Sequence, residues 1–133
     1  MNADDLMGKA ERALASARLL LDAGDTDGAC NRAYYAMFDA ARAALLASAA
    51  PVEAEVARTH NGLIAAFSLH LVKTGRVPID LGRALNRAEE IRLIADYQGT
   101  QVSRPHADTL VEKAVRFVQA MREACVPESS PPE

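Results

Sequence analysis

Three groups of polar residues sit where the apolar pattern expects none. His60 falls in a stripe with Ile64, Phe67 and Leu71. It lies near a helix N-terminus, where the helix dipole disfavours an imidazolium. A neutral imidazole there can accept or donate a single proton. A core histidine bonded to a neighbouring helix would occupy the same place. Arg92 stands between Ala88 and Ala95 in a second apolar arc. A buried Arg must be paired, and Asp96, four residues on, is the nearest candidate. The pair serves either helix register or a site. The third group is a ridge of Asn31, Tyr35, Asp39 and Arg42, with Arg32 beside it. A plain surface helix would usually carry Lys and Glu there. This donor and acceptor set suits an interhelical network or a cleft, and a solvated face remains the simpler reading.

No other chemistry is legible. The chain has no Gly-rich phosphate loop, no HExxH and no defensible Ser-His-Asp arrangement. His70 reads as a helix-edge residue and His106 as a first-turn surface residue. Cys30 and Cys125 form no CxxC pair and no zinc spacing. They read as free, reduced thiols in a cytoplasmic protein. No metal and no cofactor is expected.

Five helices must position these residues. Apolar spacing and breakers predict them over about residues 4–23, 27–49, 59–72, 80–97 and 103–125. The first presents Leu6, Ala10, Ala13, Ala17 and Leu20 or Leu21, and Gly24 ends it. The second presents Cys30, Tyr34, Met37, Ala41, Ala44 and Leu45, and Pro51 closes it. Adjacent Tyr34 and Tyr35 point about 100° apart, one to the core and one to the polar ridge. In the third, Gly62 costs about 1 kcal/mol relative to Ala, so a close helix contact is expected there. The fourth is capped by Asp80 and carries Leu81, Leu85, Ala88 and Ala95. The fifth is capped by Ser103 and carries Leu110, Ala114, Phe117, Val118 and Met121. Short turns make this an all-α, antiparallel up-and-down bundle of four to five helices. The exception is the longer loop at residues 50–58. One domain spans 1–126, and the Pro- and Ser-rich segment 127–133 reads as a disordered tail.

Composition agrees. Alanine takes 27 of 133 positions, whereas Ile appears four times and Trp not at all. Such a chain suits closely packed helices and excludes a β-sandwich or a disulfide scaffold. The N-terminus MNADD is acidic, with no apolar run behind it, and reads as no secretory signal. No apolar stretch approaches the roughly 20 residues of a membrane span. Net charge is −3, but it is unevenly spread. Residues 1–57 carry 5 basic and 9 acidic groups, whereas 58–122 carry 10 basic and 6 acidic. Twelve of the 15 basic residues are Arg. Arg grips phosphate bidentately, so a phosphate-bearing ligand stays open beside a plain solvated face.

The segment Asn31-Arg32-Ala33-Tyr34-Tyr35-Ala36-Met37-Phe38 resembles the AYYAMF signature of the HEPN domain family. Thr59-His60-Asn61-Gly62, with Phe67 and Val72-Lys73-Thr74-Gly75, resembles a second element. Arg92-Leu93-Ile94-Ala95-Asp96-Tyr97 resembles the R-x-x-A-D-Y element, and Ala114-Val115-Arg116-Phe117-Val118 the closing helix. The ordered set runs from about residue 4 to 124.

The resemblance implies a small helical bundle that dimerises. It also implies a place beside a minimal nucleotidyltransferase in a prokaryotic toxin–antitoxin or defence module. Many relatives are metal-independent ribonucleases whose motif is an Arg followed, after four to six residues, by a His. There His shuttles the 2′-hydroxyl proton and Arg stabilises the phosphorane-like charge. If Arg92 takes the motif Arg's place, a four-residue gap leads to Tyr97, followed by Gln98 and Gly99. A Tyr titrates near pH 10 and is a poor base at neutral pH. The expected function is therefore a dimeric nucleotide- or RNA-binding module, or a nucleotidyltransferase partner. Arg92, Arg32 and His60 would face phosphate, with Asp96 and Tyr97 structural or ligand-binding. The second reading is a ribonuclease toxin using His60 with Arg92. The third is a purely structural helical scaffold.

Overall fold

The computed structural model describes residues 2–97 and 101–125, so the predicted tail, Gln98 and Gly99 lie outside the described residues. The described residues form five α-helices: α1 (Ala3–Asp22), α2 (Thr26–Ala47), α3 (His60–Phe67), α4 (Ile79–Tyr97) and α5 (Arg104–Cys125). Among the described residues there is no strand, and no helix is long and apolar enough to cross a membrane. The all-α bundle is as the sequence predicts.

Local chemistry sets the helix starts. Asn2 and Asp5 form a reciprocal capping box on α1. Asp25 caps α2 by accepting from Gly28 N–H at 2.9 Å. Thr59 caps α3 by accepting from Gly62 N–H at 3.0 Å. The hydroxyl of Ser103 accepts from His106 N–H at the start of α5. Asp80 does not cap α4, because that helix already begins at Ile79. Its carboxylate lies inside the first turn, where it still complements the helix dipole.

α2 is the central helix and packs against α1, α3, α4 and α5. It is buried nearly all round, including Ala29, Ala33, Ala36, Ala40, Ala41, Ala43 and Ala44. The small methyl groups let four helices approach one axis. Thr26 Oγ1 donates to the Val102 carbonyl at 2.6 Å, and Asp27 accepts from Val102 N–H at 2.8 Å. These bonds tie the start of α2 beside the start of α5. The connection 48–58 carries a 3₁₀ turn at Val56–Arg58 and returns the chain to the middle of α2.

The third segment differs from its sequence reading in two respects. Its α-helix stops at Phe67, and Ser68–Val72 widens into a π turn closed by Lys73 N–H on the Ser68 carbonyl at 2.8 Å. Its buried face is Leu63, Ala66, Phe67 and Leu71, while His60 and Ile64 are half-buried. A single eight-residue helix laid against α2 covers a narrower stripe than a long helix wedged between two neighbours. In α4, similarly, Leu85, Ala88 and Arg92 are buried and Leu81 and Ala95 only partly so.

Gly62 permits no helix–helix approach. A Cβ there would overlap the Val56 carbonyl oxygen and Thr59 Oγ1, the two partners of the α3 cap. The expected effect of Gly62→Ala is therefore a loss of about 1–3 kcal/mol, despite the better helix propensity of Ala. Chemical denaturation measures it. Ala49, just past α2, has φ +56°. Glycine adopts this left-handed conformation without the Cβ penalty. Ala49→Gly should raise stability by about 0.5–1 kcal/mol in the same assay.

Candidate functional site

The site is built on one face of α2 and closed by α3 and α4. Tyr34, Tyr35 and Phe38 project from α2 toward His60, the first residue of α3. The Phe38 and His60 rings meet edge to face at 5.3 Å, and Tyr35 stands 5.9 Å from the same imidazole. Tyr34 is fully buried, and its hydroxyl makes a 2.7 Å hydrogen bond with His60 Nδ1.

Arg92 reaches this cluster from α4. Its guanidinium carbon lies 5.1 Å from the Tyr34 ring centroid and 6.0 Å from that of Tyr35. Both are within cation–π range. Nη1 donates to Asp96 at 2.8 Å. Arg92 is only 7% exposed, and its buried Nε has no hydrogen-bond partner. Such an orphaned donor on a buried cation costs free energy unless an acceptor arrives. Arg32 repeats the theme more openly. Its guanidinium lies 5.5 Å from the Tyr35 ring, and its Nε is also buried without a partner.

The protonation states follow from this geometry. Burial first, and Glu89 second, push the Tyr34 hydroxyl well above its usual range, partly countered by Arg92. Tyr34 is thus a neutral phenol with one proton to give, and Nδ1 of His60 is its partner. The bond admits two tautomers: with Tyr34 donating, the imidazole proton sits on Nε2, and with Nδ1–H donating to the phenol oxygen, Nε2 is an acceptor. In the first tautomer His60 presents an N–H donor. Two donors, one on Arg92 and one on His60, then flank the Tyr34–Tyr35 pair. This is an acceptor-binding arrangement suited to phosphate or carboxylate oxygens.

The sequence-derived residues divide. His60, Arg92, Asp96, Tyr35 and Arg32 come together around Tyr34. Tyr97, 80% exposed, stands on the outer side of α4. Asp39 is buried, and burial raises its carboxyl above the usual range, opposed by Lys9, Arg42 and Arg32. Arg42 lines a different cavity with Arg58. Along the Asn31–Arg42 ridge, Asp39 feels both Arg32 and Arg42, while Tyr35 faces His60 and Arg42 shares a cavity with Arg58. Cys30 is buried as a thiol, pushed up to about 11 by burial and by Asp27, so no thiolate nucleophile forms there. Sequence reasoning placed Tyr34 in the core and missed its role as the hub, along with Phe38 and Glu89. A signal was present: a buried Tyr hydroxyl needs a partner, and a His on an apolar stripe needs one too.

The HEPN domain family profile matches residues 3–124. A UPF0332 protein of Gloeobacter violaceus is 40% identical over 121 residues, covering 90% of this chain and 92% of that protein. A UPF0332 protein of Thermotoga maritima is 34% identical, covering 85% of this chain and 83% of its own length. A protein of Methanocaldococcus jannaschii named "Putative toxin MJ0605" is 30% identical, covering 86% and 82%. The match spans α1 through α5 and takes in both the Tyr34–Tyr35 pair and Arg92. The chain belongs to the HEPN domain family.

Proposed function

We propose that this protein is the HEPN component of a prokaryotic toxin–antitoxin or defence-type module. In this reading it acts in the cytoplasm as a homodimer that binds the phosphate of a nucleotide or RNA. A minimal nucleotidyltransferase is its protein partner. The observation that carries the binding role is the buried Arg92, paired once through Nη1 and unpartnered at Nε. That Nε is shut off from solvent, so a phosphate oxygen would reach it only once a neighbouring side chain moves aside, with His60 Nε2–H as a second donor in the tautomer where Tyr34 donates to Nδ1. The toxin-type setting is supported by the family and by the names of two Methanocaldococcus jannaschii relatives.

Dimerisation is supported by an apolar row on the outer side of α4. Ile79, Leu93 and Tyr97 fall on that side and are exposed at 60%, 40% and 80%. Exposed apolar groups aligned along one helix mark an interaction surface.

A ribonuclease reading is favoured by one observation, the convergence of His60 and Arg92 on Tyr34. It needs Nε2 of His60 as an acceptor, the tautomer in which Nδ1–H donates to Tyr34. The chain also lacks the Arg-to-His spacing of the ribonuclease relatives, with Tyr97, Gln98 and Gly99 following Arg92 at that gap, so binding without cleavage is the stronger reading.

One experiment separates them. Wild-type protein should be dimeric at micromolar concentration by light scattering and should leave total RNA intact without added metal. It should bind a short RNA oligomer in a gel-shift assay, and Arg92→Ala should weaken that binding about tenfold or more. Metal-free cleavage abolished by both His60→Ala and Arg92→Ala, with folds intact by circular dichroism, would instead establish the ribonuclease. A second measurement addresses the interface. Leu93→Glu should shift the protein to monomer while leaving its helical circular dichroism unchanged. A dimer that survives it places the contact elsewhere.

A further inference from the structure

The side of α4 turned away from Arg92 carries a separate feature. Arg83 and Arg87 lie one turn apart on α4, and Lys113 and Arg116 lie one turn apart on α5. All four line one cavity of about 330 Å³ between the two helices, floored by Leu81 and Ala84. A second cavity of about 200 Å³ shares Arg87 and Lys113 and extends the groove to His106. From Arg116 to His106 the groove follows about 15 Å of α5, at roughly 1.5 Å per residue.

The charge balance in this groove is unusual. Asp80 lies at one end, and Arg87 pairs with Glu90 at 2.9 Å on an open surface. Such an exposed pair is weak and yields to a stronger anion. Among the described residues, Arg83, Lys113 and Arg116 have no ion-pair partner. Like charges one turn apart on a helix repel, and here two such pairs face each other. A counter-anion would relieve that repulsion. The cations are set out over a turn on each of two helices, and the groove runs on past them to His106, an extent that matches several linked phosphates better than one. No Phe, Tyr or Trp side chain lines either cavity, and His106 stands only at the far end. The groove therefore carries no row of rings on which successive bases could stack.

We propose that the α4–α5 groove is a second anion-binding site that takes a run of linked phosphates, recognised without bases. It is independent of the Arg92 site, because the two lie on opposite sides of α4. Arg83, Arg87, Lys113 and Arg116 hold the phosphate oxygens, and His106 marks the groove's far end.

Titration calorimetry of the whole protein with sodium tripolyphosphate tests this, with orthophosphate as comparator. Wild type should bind tripolyphosphate about tenfold or more tightly than orthophosphate, with affinity falling as salt rises. The triple variant Arg83→Gln/Lys113→Gln/Arg116→Gln should lose about tenfold or more. Arg12→Gln/Arg18→Gln on α1 should change affinity less than about twofold. No binding by wild type overturns the proposal. So does equal binding by the triple variant with its fold intact by circular dichroism, or an equal loss in the α1 control. A uridylate oligomer then distinguishes the source of the phosphates. If it displaces tripolyphosphate from wild type and from Arg92→Ala alike, the groove takes a nucleic-acid backbone; if it does not, the groove takes free polyphosphate. Both results support a linked-phosphate site.

Discussion

Burying the Arg92 guanidinium against α2 constrains everything around it. An unpaired cation in a helical core is far more costly than the few kcal/mol by which a domain of this size is stable. Three features compensate here: the Asp96 carboxylate one turn on, the face of Tyr34, and the more distant face of Tyr35. Each depends on register. Sliding α4 by one residue past α2 would rotate Arg92 about 100° off the Tyr34 ring and leave the charge without its stack. The ion pair within α4 and the packing against α2 therefore specify one alignment of the two helices. The groove on the other side of α4 inherits that alignment, because the same helix supplies Arg83 and Arg87.

Alanine makes the arrangement sterically feasible. A helix contacted by four others needs a thin waist, and α2 presents methyl groups to most of its neighbours. The same thinness leaves few large side chains to fill the core. Aromatic rings are concentrated where volume is needed: Phe67 against Phe117 at 5.7 Å between α3 and α5, and Tyr34, Tyr35 and Phe38 beneath His60. The aromatic cluster thus fills the space between α2, α3 and α4 and also forms the polar site's wall. That dual use ties stability to the site: shrinking Tyr34 would remove core volume and the His60 anchor together.

Much of this was legible in the sequence, for identifiable reasons. Helix periodicity and breakers placed all five helices, because Gly24, Pro51 and Gly75 interrupt the pattern where the chain turns. Arg92 was legible because a charge between Ala88 and Ala95 has no place on an apolar face without a partner at i+4. Other features depended on three-dimensional context. Gly62 resembles a helix-packing glycine, yet its neighbour is the Val56 carbonyl, brought close by a 3₁₀ turn with no marked sequence signature. The π turn after Phe67 rotates the end of that segment. The ridge on α2 was legible as a stripe, but what each end meets was not: Tyr35 faces α3 and α4, whereas Arg42 lies two turns along beside the 48–58 connection, with Asp39 feeling both Arg32 and Arg42.

The pairing of Tyr34 with His60 bears most directly on what this fold can do chemically. A neutral imidazole has one acceptor nitrogen and one donor nitrogen, so fixing one fixes the other. A solvent-exposed phenol could rotate and release that constraint. For a fully buried phenol that burial holds protonated, Nδ1 at 2.7 Å is the one hydrogen-bond partner among the described residues. When the phenol donates to it, Nε2 is the donor; the reverse direction frees Nε2 as an acceptor and leaves the phenol proton without a partner. Proton abstraction at His60 would require Tyr34 to turn its hydroxyl away, leaving a buried donor unsatisfied at a cost of about 1–3 kcal/mol. The packing that preorganises this site for an anion is therefore the same packing that opposes its use as a base.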